Sequence, residues 1–436
     1  MGNIKHGYGS LISTISSTLR RAIPGTRTGL SAGILVFSLA ALGACSSPEP
    51  PAADLTGAWA HYTASLDRAE QTIRSSKYFT NPAAQADAYG HLAGLIGLTQ
   101  RKHIAFGDPA FPHLLRVVGL SNKWGFSNPD NVYLASLIDD RYSYRIRGRL
   151  GTANQTTFGS YAGDTKEGKA GKRFYGEDLI TDAEGNFELI FSKQPQPGNW
   201  LPLVEGATSI TIYQIFADWD REEKGTYQIE RIGSAGESPE IRGPAEMAAR
   251  YIRAGDDINH ILDYWLSISD SLSWISANTL AKPRIIQIAS YGSYFVFGGY
   301  EIKEDEALVI EMPIPDATRY WGWTLYNPWS ETLDYANRQT SLNHTQAKAD
   351  DDGMLRIVLA HTDPGVANWL DISGHPTGYL NWRVTTDNIP ERPETKRVPL
   401  NELKQHLPAS TTLVDASQRQ QIIARRQAHV ARRYAN

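Results

Sequence analysis

Apolar residues recur every three or four positions in four stretches of the chain, the spacing typical of amphipathic helices. The first stretch follows Asp54, whose side chain suits a helix N-cap, and runs from Leu55 to Ile73. Asn81-Pro82 separates it from a second stretch, and a third starts at Pro244 and ends near residue 277. The last covers roughly residues 416–434 and is basic, with Arg425, Arg426, Arg432 and Arg433. The pattern predicts two N-terminal helices, a long central helix and a C-terminal helix.

Between these stretches, apolar and polar residues alternate, which is the pattern of half-buried strands. In residues 141–147, aromatic and aliphatic side chains alternate with Arg141, Arg145 and Arg147. Further predicted strands cover residues 186–192, 208–217, 306–312, 320–326, 354–360 and 379–385. Runs of strands separated by a long helix favour an α+β protein.

An internal repeat joins the two groups of strands. Residues 184–201 read EGNFELIFSKQPQPGNWL, and residues 352–370 read DGMLRIVLAHTDPGVANWL. An arginine-tyrosine motif rich in aromatics precedes each copy, at 141–144 and at 319–323. We therefore predict two related halves that resemble β-sandwiches or jelly rolls, surrounded by the helices.

The N-terminus has the layout of an export signal. Residues 1–28 carry four basic side chains and no acidic one, and an uncharged run from Gly29 to Ala44 follows. The run ends in Leu42-Gly43-Ala44-Cys45, which resembles the lipobox of bacterial lipoproteins. A cleaved secretory signal with an incidental cysteine, or an unprocessed anchor, is the alternative. Cys45 is the single cysteine of the chain, so we predict lipidation at this residue.

The predicted protein is therefore exported and anchored in the cell envelope. Ser46, rather than an aspartate, follows the cysteine and favours the outer membrane, with the body facing the periplasm or the exterior. The predicted regions are a signal peptide (1–44), a Pro-rich tether (45–53), an N-terminal helical region (54–120), a first β repeat (121–242), a helical insertion (243–280), a second β repeat (281–395) and a tail with a basic helix (396–436).

Charge narrows the classes of partner. The formal net charge is −4, and removal of the basic residues 1–44 would bring it to about −8. An acidic body is unfavourable for nucleic-acid binding, which needs a basic face. The expected partners are the membrane, through the lipid anchor, and a small-molecule ligand or substrate.

The two repeat copies differ in their ionisable residues. The second copy has His361, Asp363, Asp371 and His375 where the first has Lys193, Pro195, Pro202 and Gly206. A histidine beside a carboxylate suits general acid–base chemistry, so these four are the candidate catalytic residues. A structural hydrogen-bond network is the competing interpretation. A divalent metal is a further alternative, although the spacing matches no standard zinc motif and no cofactor is expected.

Residues that both copies share are expected to be architectural. Asn199-Trp200 and Asn368-Trp369 are the shared pairs, and a corner filled by tryptophan is their structural interpretation. A ligand-binding role is the alternative for both pairs. The other candidate ligand-binding residues are Tyr133, Arg141, Trp323 and Asp334.

Several motifs resemble the domain-of-unknown-function family numbered 1214. The matching segments are 128–133 (NPDNVY), 144–148 (YRIRG), 196–201 (QPGNWL), 305–310 (DEALVI) and 361–371 (HTDPGVANWLD). The resemblance spans nearly all of the chain after the tether. It implies a β-sandwich or jelly-roll fold with helical additions and no settled reaction. The lipoprotein signal is a departure, since many relatives look cytosolic.

Two functional classes remain open at this point. The first is an envelope enzyme, a hydrolase or a lyase, that acts on a hydrophobic or polyol-like small molecule through its histidines and aspartates. The second is a non-catalytic ligand-binding or accessory lipoprotein, in which the histidines only form hydrogen bonds. The sequence contains no G-x-S-x-G motif, phosphate loop or dinucleotide fingerprint, which disfavours the corresponding enzyme classes.

Overall fold

A computed structural model describes residues 54–163, 169–285, 293–315 and 318–435. The predicted signal peptide, the lipidation site Cys45 and the tether lie outside the described residues. All described residues belong to one compact unit.

Four helices form where the apolar spacing predicts them: α1 (Leu55–Ser75), α2 (Pro82–Thr99), α3 (Pro244–Leu272) and α4 (Ala416–Tyr434). The Asp54 side chain caps α1 by accepting a hydrogen bond from the Gly57 backbone N–H, and Asn81 caps α2 in the same way. A π-helical turn, Gln100–Ala105, extends α2. Within the described residues, no helix is both long enough and apolar enough to cross a bilayer.

The first half is a β-sandwich. Its strands are β1 (Leu115–Val118), β2 (Asn131–Leu137), β3 (Tyr144–Arg149), β4 (Gln155–Ala162), β5 (Lys169–Tyr175), β6 (Asn186–Ser192), β7 (Trp200–Pro202), β8 (Ala207–Ile215) and β9 (Thr226–Arg231). One sheet has the order β1-β2-β8-β4-β5 and the other the order β7-β6-β3-β9. Their facing side chains, such as Ile146, Phe158 and Ile212, form one buried core.

The second half repeats this arrangement. Its strands are β10 (Thr279–Leu280), β11 (Arg284–Ile285), β12 (Tyr294–Glu301), β13 (Glu306–Pro313), β14 (Thr318–Tyr326), β15 (Ser341–Asn343), β16 (Met354–Ala360), β17 (Trp369–Asp371), β18 (Thr377–Thr386) and β19 (Glu394–Pro399). The larger sheet has the order β10-β12-β18-β14-β15, with β11 also paired to β12, and the smaller has the order β17-β16-β13-β19.

The two halves match strand by strand. Strands β2 to β9 of the first half correspond in order to strands β12 to β19 of the second half, so that β2 corresponds to β12 and β9 to β19. The predicted fold class, α+β with two related β halves and helices around them, is therefore confirmed. One detail of the repeat is wrong: the motif at 141–144 leads into β3, whereas the motif at 319–323 lies in β14, so the two are not equivalent.

Helices α1, α2 and α3 pack together over a core of their own, which includes Ile73, Leu95 and Ile258. Helix α4 returns to the body through three arginines that are seven positions apart. Arg419, Arg426 and Arg433 are nearly fully buried, and each donates hydrogen bonds to backbone carbonyl oxygens of the body. The basic face of α4 thus fastens the C-terminus to both halves.

Candidate functional site

The four predicted catalytic residues have separate partners. The ring of His361 makes a 2.9 Å hydrogen bond with the backbone oxygen of Ile302. The Asp363 carboxylate accepts a 2.8 Å hydrogen bond from the Arg419 guanidinium and also caps its own turn through the Gly365 N–H. These contacts fix the turn between β16 and β17 and attach α4 to it.

Asp371 is the last residue of β17, and His375 lies on the loop between β17 and β18. Asp371 accepts hydrogen bonds from Arg338 and from the Ser373 backbone N–H. His375 Nε2 lies 2.7 Å from a carboxylate oxygen of Asp87 on α2, and Nδ1 lies 3.1 Å from the backbone oxygen of Ile372. Both ring nitrogens thus lie within hydrogen-bond distance of oxygen acceptors, an arrangement that favours the protonated ring.

Electrostatics agree with a charged His375. Burial lowers the pKa of His375, but the hydrogen bond and the charge of Asp87 outweigh burial and hold the pKa above its ordinary value. Tyr300 lies near this pair and is buried, with no hydrogen-bond partner for its hydroxyl among the described residues. Burial raises the pKa of Tyr300, and the charges of Asp87 and Asp371 raise it further.

The expected four-residue cluster is therefore not assembled. His361 and Asp363 point to different structural partners, and each of the two remaining residues forms its own ion pair. In the described residues, no group of three or more histidine, cysteine, aspartate or glutamate side chains is placed to hold a metal ion.

The shared asparagines form the same clamp in both halves. Asn199 bonds both backbone groups of Ile180 and the backbone oxygen of Glu188. Asn368 does the same with Lys348 and Arg356. The side-chain hydrogen bonds of both asparagines thus join separate backbone segments within each half.

The shared tryptophans differ in exposure. Trp369 is 7% exposed, and its indole N–H donates to the backbone oxygen of Ala360. Trp200 is half-buried, and its indole N–H donates to the hydroxyl of Ser192, the residue equivalent to Ala360. The tryptophan of the first half is therefore the more exposed of the two.

Three of the four other candidates are engaged in local structure. The Tyr133 hydroxyl accepts a hydrogen bond from the Asn128 N–H. The exposed Arg141 forms a bidentate pair with Asp139 and lowers the pKa of that carboxyl. Asp334 caps the turn at Asn337.

Trp323 is fully buried and stacks on Trp382 with 5.8 Å between the ring centroids. A ring with no exposed surface does not contact a ligand in this conformation. Trp323 therefore lies in the core of the second sandwich, and a ligand-binding role for it stays a prediction.

A buried polar junction joins the two halves at the NPDN motif. Asp130 is 3% exposed and accepts hydrogen bonds from the Tyr320 hydroxyl, at 2.5 Å, and from the Trp219 indole, at 2.9 Å. Burial raises the pKa of Asp130, and Arg433 of α4 lies close enough for its charge to oppose this rise. The junction unites both halves and the C-terminal helix, so its evident role is structural.

The outer face of the β7-β6-β3-β9 sheet differs from these packed regions. Arg145, Arg147 and Arg149 of the central strand β3 point outward there, since Tyr144 and Ile146 fill the core. Arg145 and Arg147 pair with Glu188 and Glu230 on the flanking strands. Arg149 bonds the backbone oxygen of Glu184 and has no carboxylate partner among the described residues.

A groove runs over this face. Its volume is about 920 Å³, and it is open to solvent in the described part of the chain. Arg147, Arg149, Asn186 and Gln228 contribute polar atoms to it, and Ile180 contributes an apolar side chain that is 70% exposed. A smaller groove of about 340 Å³ continues past Arg145 toward His113.

The equivalent face of the second half is covered. Val309 occupies the place of Arg145. Arg145 pairs with Ile190, which pairs with Trp200 on its other side. In the same way, Val309 pairs with Val358, which pairs with Trp369. Val309 packs with Val358, Trp369 and Leu403 in an apolar cluster. Leu403 belongs to a 3₁₀ helix, Leu400–His406, that lies on this face. The open groove is therefore a property of the first half, and it is our candidate functional site.

Of the predicted ligand-binding residues, Asn199 lines this groove, but the arginines that define it were not predicted as site residues. The alternation in 141–147 predicts that Arg145 and Arg147 lie on the outer side of a strand, whereas the predicted catalytic residues are the ionisable residues that only the second copy has. Asp87, which pairs with His375 outside this groove, was not predicted because it lies far from His375 in the sequence. The signal in the sequence that could have indicated the groove is that Arg145 and Arg147 stand where the second half has Val309 and Glu311.

The fold defines an α+β protein built from two β-sandwiches that are joined and bordered by helices. The model of the family DUF1214, described as a protein of unknown function, matches residues 299–386. The family predicted from the motifs is thus confirmed over this part of the second half.

Among solved structures, the chain is similar to an uncharacterized protein from Burkholderia cenocepacia, with 28% identity and a TM-score of 0.75. The match covers 80% of this chain and 99% of that one. A protein from Vibrio parahaemolyticus shares 13% identity at a TM-score of 0.41, over 77% of this chain and all of the other. No protein of curated function matches the sequence.

Proposed function

We propose that this chain is a lipoprotein of the bacterial cell envelope, held in a membrane by acyl chains on Cys45. The basic, acid-free segment 1–28, the uncharged run that follows and the single cysteine at the end of that run support the proposal. Several acyl chains at one residue give firm anchoring, where one chain gives only reversible binding. Ser46 favours the outer membrane.

In this proposal the body binds a small, hydroxyl-rich molecule and carries out no reaction on it. The observation that carries the proposal is the open groove on the first sandwich, whose counterpart on the second sandwich is filled by protein. A volume of about 920 Å³ lies within the range of small-molecule sites.

The lining of the groove favours a polyol or a short saccharide. Arginine and amide side chains offer several donors, while Glu188 and Asp182 offer acceptors, and hydroxyl groups of a ligand need both. The arginines are largely paired with carboxylates, which favours a neutral or weakly acidic ligand over a strongly anionic one. The half-exposed Trp200 lies on the neighbouring strand β7.

Native mass spectrometry tests the proposal on the full mature body, released by Cys45→Ser and purified from the periplasm. We expect a co-purified adduct whose mass identifies a hydroxyl-rich molecule. The double variant Arg147→Ala/Gln228→Ala should lose it, since the two side chains face each other across β3 and β9. Arg397→Ala is the matched control. The Arg397 side chain is 51% exposed and the Arg147 side chain is 52% exposed, and each pairs with a glutamate.

A bare protein mass would contradict ligand binding if mannitol, trehalose and galacturonate also left the melting temperature unchanged. Retention of an adduct by the double variant would place the site elsewhere. Anchoring is tested separately: the wild-type chain should partition into detergent, and the Cys45→Ser chain should not.

Acid–base catalysis at His375 is the second candidate function. The observation that favours it is the group formed by the His375 imidazolium, Asp87 and the buried Tyr300 hydroxyl that lacks a hydrogen-bond partner in the described residues. A charged imidazole could donate a proton to a bound substrate. Asp371 would then be the further acidic group near Tyr300.

A substrate-turnover assay on the adduct identified above distinguishes the two candidates. The binding proposal expects the molecule to be recovered intact after incubation with the protein. Conversion that disappears in His375→Gln, while binding in the groove persists, would instead establish catalysis.

A further inference from the structure

The end of the helical layer at which α1 begins exposes apolar side chains. Leu55 and Trp59, in the first two turns of α1, are 41% and 51% exposed. The Trp59 ring meets Tyr251 of α3 edge to face at 5.3 Å. Since α1 and α3 run parallel, with Trp59 beside Tyr251 and Lys77 beside Asp270, both helices begin at this end.

Two further apolar side chains lie at the same end. Arg242, just before α3, donates a hydrogen bond to the backbone oxygen of Ala105, which brings the end of the π-helical turn beside the start of α3. Phe106 follows Ala105 and is 39% exposed, and Ile241 precedes Arg242 and is 98% exposed. We call Leu55, Trp59, Phe106 and Ile241 the tether-side patch.

The position of the proposed lipid anchor indicates which surface the tether-side patch contacts. Asp54 caps α1 and lies nine residues after Cys45, so the chain between them spans at most about 30 Å even when fully extended. A lipidated Cys45 therefore keeps Asp54, at the start of α1, within that distance of the bilayer. Tryptophan and other large apolar side chains favour the boundary between headgroups and acyl chains.

We propose that the tether-side patch docks on the phospholipid surface and orients the body relative to the membrane. This inference rests on the proposed lipid anchor at Cys45. Docking through this patch gives the body one preferred face toward the lipid, where the tether alone would allow many orientations. Arg242, which is exposed beside Ile241, adds a cation that favours phosphate headgroups.

The test uses the full lipidated chain in vesicles of phosphatidylethanolamine and phosphatidylglycerol with brominated acyl chains. Cys45 is the single native cysteine and is acylated in this form, so Trp59→Cys introduces one reactive thiol for an environment-sensitive dye. Trp274→Cys is the matched control, because Trp274 is 64% exposed and follows the other end of α3, about 40 Å away.

We expect the dye at position 59 to shift to shorter wavelength and to lose at least half of its emission to bromine quenching, while the dye at position 274 is unaffected. Equal behaviour at both positions in an acylated protein would overturn docking and leave the anchor intact. A mass that lacks the acyl chains would overturn the anchor itself, and the docking inference with it.

Discussion

The outer faces of the two small sheets show how one framework produces two different surfaces. Both sheets have the same strand order and the same asparagine clamp beside a tryptophan. In the first half the central strand directs Arg145, Arg147 and Arg149 outward into an open groove. In the second half the equivalent of Arg145 is Val309, and the 3₁₀ helix at Leu400–His406 covers it.

The difference separates residues that build the sandwich from residues that are available to a ligand. Positions that are alike in both halves serve the framework, as the clamps of Asn199 and Asn368 do. An apolar outer face removes its area from water by packing against chain that follows it. A charged outer face gains little from such a cover, because its side chains would have to be desolvated.

The largest effect should come from removing the covered tryptophan. We expect Trp369→Ala to lower the free energy of unfolding by about 3–5 kcal/mol, because it leaves a cavity under Arg419 and Leu403. Trp200→Ala, at the equivalent but half-exposed position, should cost about 1–2 kcal/mol. Urea unfolding followed by circular dichroism measures both. Equal losses would mean that the two faces are packed alike.

The next effect concerns the helix that fastens the cover. Arg419 is 9% exposed and donates hydrogen bonds to Asp363 and to the buried side-chain oxygen of Gln339, so its removal takes a partner from each of them. We expect Arg419→Ala to cost about 2–3 kcal/mol, which is less than for a fully buried pair because Asp363 is 30% exposed.

Hydrogen exchange should show where that loss acts. Amides of α4 and of the turn between β16 and β17 should exchange faster in Arg419→Ala, while those of β3 and β6 keep their rates. The exposed Arg425→Ala is the control on the same helix. Faster exchange throughout the first sandwich would contradict an attachment that is local to the second half.

A third prediction concerns equivalent loops that contact neighbours differently. His375 pairs with Asp87, whereas Gly206, in the equivalent loop of the first half, donates its backbone N–H to Asp140. Since the folded pKa of His375 is raised, its stabilisation is present below the ordinary pKa of 6.5 and is lost as the pH rises through the folded value.

His375→Gln should therefore remove a decline in unfolding free energy that the wild type shows as the pH rises above the ordinary histidine pKa of 6.5. Asp87→Asn should flatten the same part of the curve from the other side of the pair. A decline that persists unchanged in both variants would show that the pair does not cause it.

The smallest effect is expected on the open face itself. Arg147→Ala should change the unfolding free energy by less than about 1 kcal/mol, because exposed ion pairs contribute little. Arg397→Ala, which is equally exposed on the second half, should behave alike. A much larger loss of unfolding free energy in Arg147→Ala would mean that the ion pairs of Arg145 and Arg147 hold the sheet together, so that these side chains are not available to bind a ligand.

Most of the fold follows from local patterns. Asp54, Asn81 and the apolar spacing fix the starts of α1 and α2, and the predicted strands at 186–192 and 354–360 agree with β6 and β16 to the residue. The repeat of strand, turn and Asn-Trp-Leu is a long local motif, so it identifies equivalent parts of both halves.

The candidate site was harder to predict from the sequence, because its features depend on contacts between residues that are far apart along the chain. His361 and His375 stand close in sequence, yet one bonds Ile302 and the other meets Asp87 from α2. Whether a face is covered depends on residues 400–414, which follow the repeat and share no motif with it. Alternation in β3 predicts that Arg147 points outward, but it does not predict that the outward side stays open.

Hydroxyl-radical footprinting tests the central claim, that the first sandwich offers a ligand site where the second is closed. The lipidated protein is extracted from envelopes, and one portion is stripped of ligand by unfolding and refolding. We predict that Ile180, which lines the groove, is protected in the extracted protein and oxidised after stripping, while the buried Trp369 stays protected in both. Equal oxidation of Ile180 in the two portions would contradict a ligand site in the groove.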